Sequence, residues 1–306
     1  MSSRGTTTRT WQIHAALAAA QTGFALFPIL GKLALESIPP FAFSALRVVG
    51  AVLILDAFRL IRQRQRQRIR PADRKRLLLY GLLGVSFNQI LFILGLSLTT
   101  AINTTILTAT IPVFTLAAAA LLGRETLSRN GAIGTILASA GAFALLNAQR
   151  FDWSSDSFRG VSLLLLNSMS YSLYLVLSRP ILAHYKVSTF TATVFRYGAI
   201  LIVLVALPQT LRLNWRAVPA EAWWCALGVI VLCTVIPYLL NSWALARTHA
   251  SRVAFYIFLQ PLIATLLAIA ILGETLTAKT AFAGLLILAG LAVTLPRERL
   301  SPRPIP

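Results

Sequence analysis

The sequence predicts an all-α polytopic membrane protein whose ten transmembrane helices form two inverted five-helix repeats. The 306 residues are 57% hydrophobic and 12% charged, with a mean hydropathy of +0.74, whereas soluble domains carry about 25% charged residues. Apolar stretches of about 20 residues recur, each long enough to cross about 30 Å of hydrocarbon, and a set of residues recurs at one fixed spacing. This composition excludes a secreted protein, a cytosolic enzyme and a nucleic-acid-binding protein, because too few charges remain to cover a soluble surface.

Ten apolar stretches are candidates for membrane spans. The first is interpreted as a retained span and not as a signal peptide, because it is longer than a typical signal-peptide core and has no clear cleavage site. The spans lie at about 11–35, 41–61, 77–96, 101–122, 131–147, 160–183, 189–207, 222–245, 253–272 and 281–295.

Positive charge is concentrated in one connection between spans. The basic loop 59–76 holds 9 of the 28 Lys and Arg residues and a single acid, Asp73. A basic loop between two apolar spans is typical of a cytoplasmic connection that faces anionic lipid headgroups. We therefore expect anionic lipid as the partner of this loop, and no nucleic acid, despite the net charge of +19.

The distribution of Lys and Arg also predicts the orientation. The tails and the loops after even-numbered spans hold 20 of these residues, against 6 in the other connections. The positive-inside rule then places both termini in the cytoplasm, in a multi-pass protein of the inner (plasma) membrane. The predicted organisation is a cytoplasmic tail (1–10), a first repeat (11–148), an extracytoplasmic linker (149–159), a second repeat (160–296) and a second cytoplasmic tail (297–306).

Four pairs of residues reveal the internal repeat, since 149 positions separate the members of each pair. Five spans per half is an odd number, so the second half must enter the membrane from the opposite side. Two inverted copies around one site supply two arrangements, each open to one side, and therefore favour transport by alternating access. The pairs are Arg47 with Arg196, Pro112 with Pro261, Glu125 with Glu274 and Gly141 with Gly290.

Each half also carries Glu-Thr-Leu followed by serine or threonine, at 125–128 and 274–277. Together with the paired prolines, glycines and arginines, this pattern resembles the paired EamA domains of the drug/metabolite transporter superfamily over about 11–296. The resemblance implies a ten-helix carrier for small organic solutes. The size and the cytoplasmic termini are similar to those of amino-acid exporters of the YddG type, so the resemblance implies export of hydrophobic or aromatic amino acids.

The intramembrane arginines and the repeated glutamates are candidates for gates. Inversion allows Arg47 to approach Glu274 at the outer side of the membrane. It allows Arg196 to approach Glu125 at the inner side, so that one pair closes while the other opens. The alternative is structural: each arginine reaches headgroups or helix-end carbonyls, and each glutamate caps the next helix.

The distribution of acids predicts how transport is driven. Of the nine acids, only Asp56 lies inside a span, and it is near the cytoplasmic end of that span. Carriers coupled to protons or sodium generally need an anionic or titratable group near the midplane. Facilitated or exchange transport is therefore expected, with a proton-coupled drug/metabolite antiporter as the rival carrier.

Neutral polar and aromatic side chains must then form the substrate site. Amides and phenols can hydrogen-bond the carboxylate and ammonium of a zwitterion, while aromatic faces hold an apolar side chain. The alternative for each of them is a hydrogen bond between neighbouring helices. The candidates are Gln21, Asn88, Gln89, Thr108, Asn167, Tyr171, Tyr174, Tyr238, Asn241, Trp243, Tyr256 and Gln260.

Two other classes of protein stay open at this point. A polytopic membrane enzyme would need a nucleophile–base pair or a metal cluster, but no span or loop holds clustered His, Asp or Glu. We therefore expect no catalytic residue, no cofactor and no metal. A channel is the other class, and saturable counter-transport would distinguish a carrier from it. The Gly- and Ala-rich fifth and tenth spans allow close helix contact, as scaffold or as the interface of a homodimer.

Overall fold

A computed structural model shows an all-helical chain. Every secondary-structure element among the described residues is a helix, which confirms the predicted all-α class. Glu274 and most of the predicted tails and linker lie outside the described residues. The structure describes residues 10–62, 67–98, 107–126, 128–145, 155–272 and 278–294.

The helical elements are numbered in chain order, and uninterrupted runs of helical turns share one label. Three of them change pitch along their length: α3 and α8 contain a π-helical turn, and α9 contains a 3₁₀ turn. The elements are α1 (Thr10–Leu35), α2 (Pro40–Arg62), α3 (Pro71–Leu98), α4 (Ile111–Leu121), α5 (Arg129–Leu145), α6 (Ser155–Leu182), α7 (Val187–Arg212), α8 (Ala220–Leu245), α9 (Ala250–Phe255, Tyr256–Phe258 and Leu259–Leu272 in succession) and α10 (Ala278–Thr294), with a short 3₁₀ helix (Trp215–Ala217) between α7 and α8.

Several helices have the length and composition of membrane spans. Within the described part of the chain, five are long and apolar enough to cross a bilayer, and shorter apolar helices lie in α4, α9 and α10. This arrangement is that of a polytopic membrane protein. The five long segments are Pro40–Ile61, Pro71–Leu98, Phe158–Leu182, Val187–Arg212 and Ala220–Leu245.

The two halves share an unusual helical turn at equivalent positions. The π-turn of α3 covers Leu82–Phe87, and that of α8 covers Val231–Val235. Their first residues are 149 positions apart, which is the spacing of the repeat. Because π-turns are rare, their matched positions show that the two halves are built alike.

The packing of α5 on α10 shows that the two halves run in opposite directions. A Cβ built on Gly141, towards the end of α5, would lie 2.7 Å from the carbonyl oxygen of Ala283, near the start of α10. A Cβ built on Gly290, towards the end of α10, would lie 2.6 Å from the carbonyl oxygen of Gly134. Equivalent residues therefore exchange contacts across an approximate two-fold axis, and small residues allow the close approach.

The same symmetry relates the other helix pairs. α3 packs on α6 as α8 packs on α1, and α2 packs along its own counterpart α7. Near the end of α7, Oε1 of Gln209 accepts hydrogen bonds from the backbone N–H groups of Phe41 at 2.8 Å and Ala42 at 3.3 Å. These two N–H groups lie in the first turn of α2, where a helix offers them no partner of its own. We call the end of the bundle that holds the basic loop the basic-loop face, and the end that holds the α1–α2 turn (36–39) the opposite face.

Gly141→Ala is expected to destabilise the protein, because the new methyl group must displace the backbone of α10. Overpacking of this kind costs about 1–3 kcal/mol, which lowers the midpoint of thermal unfolding in detergent. Gly228→Ala is the matched control, since its Cβ would meet only Cδ1 of Leu30, at 3.4 Å. Equal unfolding midpoints of the two variants would contradict the packing of α5 on α10.

Candidate functional site

A cavity of about 480 Å³ lies between the two repeats. Its wall is formed by residues of α1, α2, α3, α6, α8 and α9 together with the start of α4. At one end the cavity reaches Leu35, Pro40 and Ser97, which lie at or near helix ends. These helix ends belong to the opposite face, so the cavity has its mouth there.

Tyrosine side chains close the cavity towards the basic-loop face. The Tyr238 ring meets the Phe195 ring edge-on, with 4.8 Å between the ring centroids. The rings of Tyr171 and Tyr174 pack on each other with centroids 5.7 Å apart. All three tyrosines are buried, and we call them the tyrosine floor.

Seven of the twelve predicted substrate-site residues line the cavity, to which α3, α6, α8, α9 and the segment before α4 contribute them. Several of these amides also make contacts within the protein: Nδ2 of Asn167 donates to the backbone carbonyl of Asn88. The lining members of the predicted set are Asn88, Gln89, Thr108, Asn167, Tyr171, Tyr238 and Gln260.

Three further predicted residues lie directly behind the lining. Nε2 of Gln260 donates to Oε1 of Gln21 at 2.7 Å. Nδ2 of Asn241 lies 3.4 Å from the hydroxyl of Tyr171, and Tyr174 packs on the same ring. These residues support the wall of the cavity and do not form its surface.

Trp243 and Tyr256 are not among the residues that line the cavity in this conformation, so their assignment to the substrate site stays a prediction. Cζ of Arg247 lies 4.3 Å from the centre of the Trp243 ring, at the end of α8. The hydroxyl of Tyr256 hydrogen-bonds Nδ1 of His14, near the start of α1. Both side chains lie towards the basic-loop face, because position along a helix does not determine which side of that helix faces the cavity.

Arg47 reaches the cavity from α2. Its guanidinium carbon lies 4.7 Å from the centre of the Phe27 ring, where the negative ring face attracts the cation. Its Nε atom is buried and has no hydrogen-bond partner. The predicted partner Glu274 lies outside the described residues, so the gate formed by Arg47 and Glu274 stays a prediction.

Arg196 pairs with Asp56 in this structure, where the predicted pair of Arg196 with Glu125 is not formed, and a gate formed by that pair stays a prediction. Nε of Arg196 donates to Oδ2 of Asp56 at 2.9 Å, and Nη2 donates to Oδ1. Arg59 contacts the same carboxylate at 3.3 Å. The physical reason is that Asp56 lies on α2, which packs along α7, whereas Glu125 follows α4.

Glu125 caps α9. Its Oε1 accepts the backbone N–H of Ala250 at 2.7 Å, and its Oε2 accepts the hydroxyl of Ser251. Nδ1 of His249 lies 3.9 Å from the same carboxylate. A carboxylate at a helix start satisfies free N–H groups and interacts favourably with the helix dipole. Glu125 thus has the capping role that was the structural alternative to a gate, but it caps α9 and not the next helix in the chain, α5.

Hydrogen bonds between loops hold the basic-loop face together. The hydroxyl of Tyr185 donates to Oδ2 of Asp73 at 2.6 Å and accepts the backbone N–H of Arg70 at 3.1 Å. Burial, followed by the hydrogen bond to Asp73, raises the pKa of Tyr185, so its hydroxyl stays protonated and able to donate. The amide of Gln67 donates to the carbonyl of His184 at 2.9 Å.

A further contact on this face joins two other connections. Nε of Arg179, at the end of α6, donates to the backbone carbonyl of Thr248 in the α8–α9 turn at 2.8 Å. Together with the tyrosine floor, these contacts separate the cavity from the basic-loop face. The central cavity therefore opens at the opposite face and is closed by these residues towards the basic-loop face, where a separate cavity of about 540 Å³ is lined by residues that include Arg76 and His184.

Sequence reasoning missed the roles of Asp56, Phe27, Ser44 and Cys233. The last three line the cavity, and nothing in the residue types distinguishes them from packing residues. Asp56 had a usable signal. Because α2 and α7 are equivalent and antiparallel, an acid located nine residues after the arginine of one helix can meet the arginine of the other.

A cavity that lies between two antiparallel helical repeats and opens at one face is the architecture of a membrane transporter. The chain matches the EamA-like transporter family at residues 10–147 and again at 158–295. It belongs to that family, and the predicted resemblance to the drug/metabolite transporter superfamily is confirmed.

Similar proteins cover nearly the whole chain. An uncharacterized transporter of Archaeoglobus fulgidus is 28% identical over 87% of this chain and 91% of its own length. A WAT1-related protein of Arabidopsis thaliana is 23% identical over 95% of this chain and 83% of its own length. One solved crystal structure has a TM-score of 0.79 at 18% identity, covering 94% of this chain and 98% of that chain, which shows the shared fold.

Gln260→Leu is expected to destabilise the protein by about 1 kcal/mol, the scale of interhelical hydrogen bonds in membranes. Gln21 is fully buried, and the substitution removes the donor to its amide oxygen. Adding Gln21→Leu should cost little more, because no unpaired oxygen then remains. A double-mutant cycle on unfolding in detergent measures this coupling, and strictly additive effects would contradict it.

Proposed function

We propose that the protein is a secondary carrier that exports small organic solutes, with amino acids bearing hydrophobic or aromatic side chains as the substrate class. The observation that carries the proposal is the cavity, which opens at one face and is closed at the other by the tyrosine floor and the loop contacts. Alternating access between two such arrangements is the mechanism that inverted repeats supply.

The lining of the cavity suits this substrate class. Ligand sites are typically about 300–1,000 Å³ and mostly apolar, with a few placed polar groups. Phe24, Phe43 and Phe92 offer aromatic surface to an apolar side chain, while Asn88 and Gln89 offer amides to its polar end. The size and the chemistry of the cavity thus match one small amphipathic solute.

In the proposed topology, ten helices cross the inner membrane, including the shorter α4, α9 and α10. The excess of Lys and Arg, 20 against 6, directs the basic-loop face to the cytoplasm, with both termini on that side. Anionic lipid headgroups then surround the basic loop. In this orientation the cavity opens outward, and the structure represents the outward-open state.

Transport is proposed to be facilitated or to proceed by exchange. The described lining of the cavity holds no acid, and Asp56 is engaged by two arginines. A proton-coupled antiporter is the alternative carrier. A channel is disfavoured by the closed floor. A membrane enzyme is disfavoured because no group of three His, Cys, Asp or Glu suited to a metal lies in the described part of the chain.

Counterflow in proteoliposomes tests the proposed function. Vesicles loaded with unlabelled phenylalanine should accumulate labelled phenylalanine transiently and saturably, because a carrier with one alternating site exchanges its substrate. An imposed pH gradient should leave the flux unchanged. Matched vesicles should be tested with a nucleoside and a cationic dye.

Each other outcome contradicts a named part of the proposal. Flux that does not saturate indicates a channel, and flux that scales with the pH gradient indicates proton coupling. Exchange of the nucleoside or the dye without exchange of any amino acid contradicts the substrate class.

Asp56→Asn is expected to loosen the closed face, because it removes the charge that holds Arg196. A cysteine at Thr248, which is 4% exposed, should react about three-fold faster with an impermeant maleimide, since partly exposed ion pairs contribute about 0.2–1 kcal/mol. Glu221→Gln, an exposed acid at the start of α8, is the matched control.

The swap of Asp56→Arg with Arg196→Asp should restore protection of the cysteine, because the same two charges meet in reversed order. If the cysteine in the swapped variant reacts as fast as it does with Asp56→Arg or Arg196→Asp alone, the pair has no gating role.

A further inference from the structure

We propose that Arg47 binds the carboxylate of the transported solute, assisted by the Gln89 amide, so that the cavity selects anionic and zwitterionic solutes over cations. This inference rests on the proposed function, because it takes the cavity as the substrate site. It adds the chemical group by which a solute is recognised and the residue that recognises it.

The first step concerns charge. Among the described residues that line the cavity, Arg47 is the only charged one. No described acid lines the cavity to neutralise it. The described lining therefore carries one positive charge, and a low-dielectric wall strengthens the attraction of that charge for an anion.

The second step concerns hydrogen bonding. Nε of Arg47 is buried without a partner, and the guanidinium forms no hydrogen bond or ion pair with any described residue. The guanidinium carbon lies 4.7 Å from the centre of the Phe27 ring, a contact that occupies no N–H donor. A guanidinium presents these donors in a fork that matches a carboxylate.

The third step concerns the repeat. Arg47 and Arg196 occupy the same position in their halves, and Arg196 is paired with Asp56. The position equivalent to Asp56 in the second half is Val205, which cannot pair with a cation. The second half thus lacks the acid that would form a symmetrical ion pair with Arg47, which leaves the guanidinium without a described acid as its partner.

The fourth step supplies a second hydrogen-bonding group. Gln89 lines the cavity and is 5% exposed, yet neither Oε1 nor Nε2 has a hydrogen-bond partner. A buried amide with both polar atoms unpaired is costly unless a ligand satisfies it. α2 packs on the Asn88–Leu98 part of α3, and Arg47 and Gln89 line the same cavity from these two helices. Oε1 can accept the ammonium of a zwitterion, and Nε2 can donate to the carboxylate.

Binding of three matched compounds to the purified protein tests the inference. The compounds are 3-phenylpropionate, its neutral amide, and 3-phenylpropylamine, and binding is measured by ligand-dependent thermal stability. The unmodified protein should bind the carboxylate about 10- to 100-fold more tightly than the amide, as expected for a charge-assisted bond. The amine should bind most weakly.

Variants identify the residue responsible. Arg47→Gln should abolish the preference for the carboxylate over the amide while leaving the affinity for the amide nearly unchanged. Arg47→Lys should retain part of the preference, because lysine keeps the charge and loses the fork. Arg212→Gln, which removes an exposed arginine at the end of α7, should keep the whole preference.

Other results overturn the inference. An unchanged preference in Arg47→Gln means that Arg47 acts only as a gate or a packing residue. Equal binding of all three compounds, tighter binding of the amine, or no binding of any compound contradicts selection of carboxylates. A preference that depends on Arg47 without exchange of amino acids in vesicles would support the inference and refute the proposed substrate class.

Discussion

A charge inside a membrane protein must be paired, solvated or directed into a water-filled space, because hydrocarbon does not solvate it. α2 and α7 carry one arginine each at the same repeat position, and the protein meets this constraint in two ways. Arg196 is paired with Asp56 towards the basic-loop face, whereas Arg47 faces the cavity and stacks on Phe27. Two otherwise equivalent helices thus differ in how they satisfy their arginine, one towards the closed face and the other in the open cavity.

The closed face is held by many small contacts rather than by a large apolar interface. Hydrogen bonds between membrane helices contribute about 0.6 kcal/mol on average, and the bonds of Tyr185, Glu125 and Arg179 lie in or beside connections between helices. Such a set can break together at moderate cost. The apolar contact of α5 with α10 is tight, because the backbones of the two helices approach each other closely at Gly141 and Gly290. We therefore infer that these two helices stay fixed while other helices move.

Much of the fold could be predicted from the sequence, because residues that are rare in membrane helices kept one spacing. The antiparallel repeats and the pairing of Gly141 with Gly290 follow from that spacing, whereas the convergence of polar residues such as Gln260 on one cavity follows from their positions in the middle of spans. The partner of Arg196 and the position of Trp243 did not follow. Hydropathy gives the depth of a residue along its helix, but the facing direction depends on how neighbouring helices pack.

The central claim is that two antiparallel repeats open and close opposite faces of one shared cavity. Distances between spin labels test it most directly, with one pair at Leu35 and Leu98 and its repeat equivalent at His184 and Arg247. Shifting the population with Asp56→Asn should shorten the distance across the mouth and lengthen the distance across the basic-loop face. If both distances change in the same direction, or if neither changes, the two faces are not coupled and the account is wrong.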